Sequence, residues 1–275
     1  MLLKWAKYLL VVCLSVPLLY VIWLLARMLF FDYFTIPTES MCPTLKPGDK
    51  VFVNKLRMGA RIYTDLNFNT EGQERKSVRI KGYSGVRHND ILVFNLANHW
   101  GKINFIINNV FCKRCIGLPG DSVSAKNGHY VNNNFDGALC MEEAQDQLEH
   151  TPDSLIKEGY WIPPYCNGWN IKNFGPMYIP RKGDFINVNA LEAAVYKAML
   201  EWELGKEITC DWEANEAYAD GKRITHHRWQ HNYYFMAGDN AIDSNDSRYW
   251  GPVPEEYIVG IVDVVIRNGK ILKTL

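Results

Sequence analysis

The chain has 275 residues, with 30 Lys and Arg balancing 30 Asp and Glu for a formal net charge of zero. Beyond a membrane anchor, that length leaves room for one large domain or two small ones, and the even balance excludes the basic excess of a nucleic-acid binder. Seven cysteines are too few for a dense disulfide scaffold. From Tyr8 to Phe31 the sequence is apolar, with Arg27 as the only charge. About 20 such residues cross a bilayer, so the run is long enough to span one. It continues into Phe30, Phe31, Tyr33 and Phe34 without a small-residue cleavage site, which favours a retained anchor over a cleaved leader. Lys4 and Lys7 precede it and orient the N-terminus towards the cytoplasm; Arg27 weighs the other way. The competing reading is a buried helix of a soluble protein.

Beyond the anchor, short apolar stretches alternate with period two and are broken by Gly, Pro, Asn and Asp. Strands are predicted at Lys50–Asn54, Asp90–Asn95, Phe105–Ile107, Asn109–Ile116, Tyr233–Met236 and Ile258–Ile266. Asn268–Gly269, between apolar runs, predicts a terminal hairpin. The stretch 137–230 differs: an aromatic, Pro- and Gly-containing loop around Trp161, Tyr165 and Trp169 precedes a helix predicted over Ala190–Leu204. That loop either caps the β core or rests on a membrane surface. The expected organisation is a cytoplasmic segment 1–7, an anchor 8–31, a mainly β domain in two parts, 32–136 and 231–275, and an α/β insertion at 137–230. Cys140, Cys166 and Cys210 share the insertion, where a disulfide is conceivable if that region is extracytoplasmic.

Two residues attract chemical interest. Ser40 follows the anchor closely, and a serine hydroxyl attacks a peptide bond only with a base to take its proton. A lysine serves as that base when an apolar site lowers its pKa. Strand alternation places Lys113 on a face with Phe111 and Cys115, with Cys112, Arg114 and Ile116 opposite; Arg114 is expected to point towards solvent. Other readings compete. Cys112-x-x-Cys115 has metal or redox spacing, but on a strand its two thiols face opposite sides. His226, His227 and His231 form a histidine cluster, read as a solvated loop. His88 is available for a Ser-His-Asp triad with Ser40.

Four blocks together resemble the bacterial type I signal peptidases, membrane-anchored serine endopeptidases of peptidase family S26 that use a Ser–Lys dyad. They are IPTESMCPTLKPGD from Ile36 to Asp49, Arg87-x-x-Asp90-Ile91-Leu92-Val93-Phe94, KRCIGLPGD from Lys113 to Asp121, and GDNAIDSNDSRYWGPVPEEYIVG from Gly238 to Gly260. The resemblance implies a signal-peptidase-like β-barrel or sandwich preceded by one transmembrane helix, with Ser40 as nucleophile and Lys113 as general base. It implies an oxyanion hole from Thr38 and the Ser40 backbone, with Ser244 orienting the lysine and Asp246 and Arg248 buttressing the site. Ile36, Pro37, Met41, Leu45, Phe111 and Cys112 match substrate-pocket positions. The implied partners are secreted preprotein signal peptides and the phospholipid bilayer, with no cofactor, metal or nucleic acid. The implied location is the bacterial inner membrane, single-pass, with the N-terminus cytoplasmic and the catalytic domain extracytoplasmic.

The sequence departs from the family pattern at two places. Ala241 stands where the family commonly has Arg, and Glu39 where it often has Gly. These departures motivate a second reading, a catalytically weak or inactive peptidase-derived binding or scaffold protein anchored in the membrane. A self-cleaving repressor-type Ser–Lys protease would need a DNA-binding module in place of the anchor.

Overall fold

Leu2–Leu29 forms one 28-residue helix in a computed structural model that describes residues 2–64, 77–99, 101–156 and 169–274. Within it, Lys7–Leu29 is long and apolar enough to cross a membrane, and its apolar stretch is left unburied by the rest of the described residues, with contacts to the sheet only from its last turn. Pro17 lies inside the helix without ending it, as membrane helices tolerate. The helix stops at Leu29, short of the expected boundary at Phe31, because Phe31–Thr35 is already a strand paired with Lys50–Asn54.

The principal sheet has eight strands. Its order runs Phe31–Thr35, Lys50–Asn54, Ile258–Arg267, Ile91–Asn95, Val110–Gly117, Tyr233–Ala237 and Val253–Pro254, with Lys270–Thr274 also paired to Ile258–Arg267. All these pairings are antiparallel. Period-two alternation is clear near its edge, where Val51 and Val53 are buried and Lys50 is exposed. At the centre, Ile91–Asn95 is buried throughout, so both faces of the sheet are covered there. The terminal hairpin turns through Asn268 and Gly269, both at positive φ (52° and 75°), the geometry that favours an Asn-Gly pair.

Two apolar clusters cover the two faces. One holds Ile36, Met41, Leu45, Val51, Val53, Ile91, Val93, Val262 and Val265. The larger joins Leu92, Phe94, Cys115, Ile116 and Phe235 to Tyr196, Met199, Ile208 and Trp229 of the middle region. The mainly β architecture with one apolar N-terminal helix is therefore as the sequence indicates, and its main core runs without a break into the middle region.

Two local expectations differ from the structure. Phe105–Ile107 is not a strand; the short hairpin there is Ala97–His99 with Lys102–Asn104, and Phe105 is buried edge-on to Tyr257. The apolar run reports burial, not extension. The predicted helix 190–204 is two helices, Ala190–Val195 and Lys197–Leu204, joined at Tyr196 with φ −101° and ψ 14°. Tyr196 is buried, packs on Trp229 and donates its hydroxyl to the Tyr178 carbonyl, so tertiary contacts override local helix propensity. Asn189 caps the first helix by accepting from the Leu191 and Glu192 N–H groups, and Gly205 ends the second in the left-handed region. Of the aromatic loop, Trp161 and Tyr165 lie outside the described residues; Trp169 packs edge-on to Phe174.

Candidate active site

Ser40 sits on the loop between the first two strands of the sheet. The loop is closed at its base by Ile36 N–H to Asp49 O (2.8 Å) and Gly48 N–H to Ile36 O (2.9 Å). Ile36, Met41 and Leu45 turn inward into the smaller cluster and fasten the loop to the sheet. Asp49 is buried, accepts from Lys46 N–H and is gripped by Arg267 through both carboxylate oxygens. The hydrogen bond from Arg267 holds its carboxyl below the usual value. Asn240 completes the attachment from the far side, its N–H donating to Ser40 O at 3.2 Å and its side-chain amide to Glu39 O at 3.4 Å.

Lys113 lies on Val110–Gly117, opposite Leu92 of the neighbouring strand. Its Nζ donates to Ser40 Oγ at 2.6 Å and to the Cys112 carbonyl at 3.1 Å. The side chain is buried, and loss of water lowers its pKa from the ordinary lysine value; the Asp246 carboxylate opposes that shift. Thr38 Oγ1 lies 3.3 Å from Ser40 Oγ, on the exposed side of the loop. A hydroxyl, an amine made less basic by burial and a second hydroxyl thus meet at one point.

Beneath them lies an ion pair with no exposure. Arg248 donates from Nε to Asp246 Oδ1 and from Nη2 to Oδ2, both at 2.8 Å, and from Nη1 to the Ala241 carbonyl at 2.8 Å. Asp246 also accepts from Gly238 N–H at 2.9 Å and caps the short helix Ser247–Trp250. Burial pushes the Asp246 carboxyl up, but the Arg248 charge and these hydrogen bonds outweigh it and leave it below the ordinary value.

The remaining predicted residues divide. Ser244 is buried next to Gly238, and its hydroxyl helps hold the Asp246 carboxyl down. It makes no well-formed hydrogen bond among the described residues, Lys113 included. Ile36, Met41, Leu45 and Cys112 share the smaller cluster, while Pro37 is exposed beside it. Phe111 is not with them: it packs on the other face against Phe94 and Trp250, at 5.9 and 4.9 Å between ring centres. Glu39 is exposed, with no bond to its carboxylate among the described residues. Ala241 is buried against Leu148 and Ile171 of the middle region.

Arg114 points away from the lysine face as expected, but not into solvent. It forms a two-pronged bond to the buried Asp239, both contacts 2.6 Å, and donates to Asn89 O at 2.8 Å.

His88 bonds Asp121 at 2.7 Å and stacks on Phe135, with no bond to Ser40. His227 is buried rather than solvated. It pairs with the fully buried Glu203 at 2.7 Å, while His231 pairs with Glu256 at 2.7 Å. Cys112 and Cys115 belong to opposite clusters, and burial pushes the Cys112 thiol up to about 12. Cys140 and Cys210 are free thiols; Cys166 lies outside the described residues.

Comparison with known proteins agrees with this arrangement. A family model described as "Signal peptidase, peptidase S26" matches residues 2–267. The chain belongs to this family. Proteins named "Signal peptidase I" share its sequence at length. That of Buchnera aphidicola subsp. Acyrthosiphon pisum is 29% identical over 244 residues, covering 85% of this chain and 67% of that protein. That of Buchnera aphidicola subsp. Baizongia pistaciae is 26% identical over 256 residues, covering 90% and 72%. That of Helicobacter pylori strain J99 is 26% identical over 235 residues, covering 82% and 71%.

As a member of the S26 signal peptidase family, the chain is a hydrolase, a serine endopeptidase. Three residues of its site escape a sequence reading. Asp239 is half of the Arg114 pair. Ser247 is fully buried and accepts the Met236 N–H at 2.9 Å. Gly238 has no room for a side chain, since a Cβ there would lie 2.0 Å from Ser244 Oγ and 2.5 Å from Ser40 O. All three fall in or beside the Gly238–Gly260 block, but a motif does not say which of its letters are there for space and which for charge.

Proposed function

We propose that this S26 peptidase removes N-terminal signal peptides from exported preproteins, with Ser40 as nucleophile and Lys113 as general base. The observation that carries the reading is the 2.6 Å bond from a buried lysine amine to a half-buried serine hydroxyl. In its neutral form Lys113 takes the Ser40 proton as Oγ attacks the scissile carbonyl. The negative charge that develops on the carbonyl oxygen is met by the Ser40 backbone N–H and the Thr38 hydroxyl; a donor of this kind contributes about 3 kcal/mol to lowering a barrier. The Lys113 ammonium then protonates the leaving amine, which departs with the mature chain. Neutral again, Lys113 deprotonates a water that hydrolyses the acyl-serine. Asp246, Arg248 and Ser244 hold the ground on which the lysine stands.

The apolar helix Lys7–Leu29 would anchor the enzyme in the bacterial inner membrane, with Lys4 and Lys7 cytoplasmic and the β domain on the extracytoplasmic side. The substrate would lie extended against strand edges at the site, over a floor to which Ile36, Met41 and Leu45 contribute. The test is a preprotein incubated with detergent-solubilised wild type, Ser40→Ala and Lys113→Ala. Cleavage by wild type alone is expected. Equal cleavage by all three, or none by the wild type across several preproteins, contradicts the reading.

A further inference from the structure

The helix and the sheet meet without a linker, the helix ending at Leu29 and the first strand beginning at Phe31. Charge tightens the join. Asp32 is bonded by Arg27 from the last helical turn and by Lys55 Nζ at 3.2 Å. Lys55, itself buried, also donates from Nζ to the Arg27 carbonyl at 2.8 Å and from its backbone N–H to Phe30 O at 3.0 Å. A cation at the carbonyl end of a helix satisfies both the free carbonyl and the helix dipole. The Arg27 guanidinium lies over the rings of Trp23 and Tyr33, at 5.1 and 4.9 Å. One point therefore ties together the end of the helix, the first strand and the residue just past the second strand.

Those two strands are the arms of the hairpin whose loop carries Ser40. Phe31 pairs with Asn54 at the joint, and Thr35 pairs with Lys50 at the loop end. Five strand residues span only about 17 Å, so a tilt of the helix reaches the nucleophile loop through a short, paired ribbon. We propose that Arg27, Asp32 and Lys55 are positioning residues that lock the helix to this hairpin. They thereby fix the height of Ser40 above the membrane and the bond at which a membrane-delivered chain is cut. The consequence for cutting rests on the signal-peptide reading; the rigidity of the joint does not.

The experiment uses the full chain in nanodiscs. Bioorthogonal spin labels at positions 16 and 270, both exposed, report the helix-to-sheet distance distribution by pulsed dipolar spectroscopy. A narrow distribution is expected for wild type and for Lys55→Arg, which keeps a cation at the helix end, and a broad one for Asp32→Ala. Arg27→Gln, changed at a partly exposed side chain, provides a second break should Asp32→Ala misfold. In parallel, a membrane-delivered preprotein and a short soluble peptide with the same cut site are assayed. The loosened variants should lose about tenfold or more on the preprotein, or cut it at neighbouring bonds, while cleaving the peptide within about twofold of wild type. Equal widths for wild type and variants, or parallel loss on both substrates, overturns the proposal. A wild type that cleaves neither substrate defeats the signal-peptide reading instead, and the distance distributions still decide the joint.

Discussion

Lys113 Nζ lies 2.6 Å from Ser40 Oγ, and the burial that brings them together is also what makes the lysine a less willing proton holder. Cleavage needs the neutral amine, so its rate should rise with pH through a midpoint below the ordinary lysine value of 10.5. A rate profile measured with a preprotein checks this; a profile governed by a group that titrates like free lysine contradicts it.

The same burial weakens the fold. With a folded value below 10.5, Lys113 costs stability in full at pH below the folded value; the cost fades as pH rises and is gone above 10.5. Lys113→Met removes the ammonium and keeps the chain length. It should melt at a higher temperature than wild type at neutral pH while losing about 10²–10⁴-fold in cleavage. Calorimetry showing an equal or lower Tm contradicts this.

Gly238→Ala should damage catalysis more than folding. The added methyl meets Ser244 Oγ and Ser40 O well inside contact distance, and the loop that carries the nucleophile has to yield. Overpacking of this size costs about 1–3 kcal/mol, whereas an ångström of misplacement costs about 10²-fold in rate. Paired denaturation and single-turnover measurements separate the two; unchanged cleavage would show that Ser40 stands clear of this contact.

Arg248→Met should destabilise by about 3–5 kcal/mol, because it leaves the Asp246 carboxylate buried without its partner. In the wild type, Asp246 contributes stability above the ordinary carboxyl value of 3.8, and loses it as pH falls through its lower folded value. With the guanidinium gone, acid unfolding should begin at higher pH. Urea midpoints measured across the acid range check both the size and the direction.

Glu39→Gln should change little. The carboxylate is exposed, and water and salt screen it from the buried amine. Stability within about 0.5 kcal/mol of wild type and an unmoved pH midpoint for cleavage are expected. A midpoint that moves would mean that this carboxylate does act on Lys113.

Much of this was legible in the sequence because period-two alternation is a geometric fact of strands. It put Lys113 on the face opposite Arg114 and set Cys112 apart from Cys115. What it does not supply is the partner met on each face. Alternation alone points Arg114 away from Lys113 and so towards water; Asp239, 125 residues away, meets its charge there instead. His227 likewise meets Glu203 in the interior. Phe105–Ile107 and Tyr196 show the same limit in the backbone, since apolar character states that a residue is buried and leaves open whether strand, loop or helix break takes it there. Phe111 matched a pocket position by its place in a motif, yet its ring points to the opposite side of the sheet from Met41 and Leu45.

Ala241 packs against Leu148 and Ile171 while its carbonyl holds Arg248. The wall behind the reactive loop is thus partly made by the middle region, a stretch outside the four sequence blocks that carry the resemblance. Joining residue 136 directly to 231 would not yield a pared-down enzyme. It would uncover Ala241, strip neighbours from the main core at Tyr196, Met199 and Trp229, and leave the catalytic loop leaning on solvent.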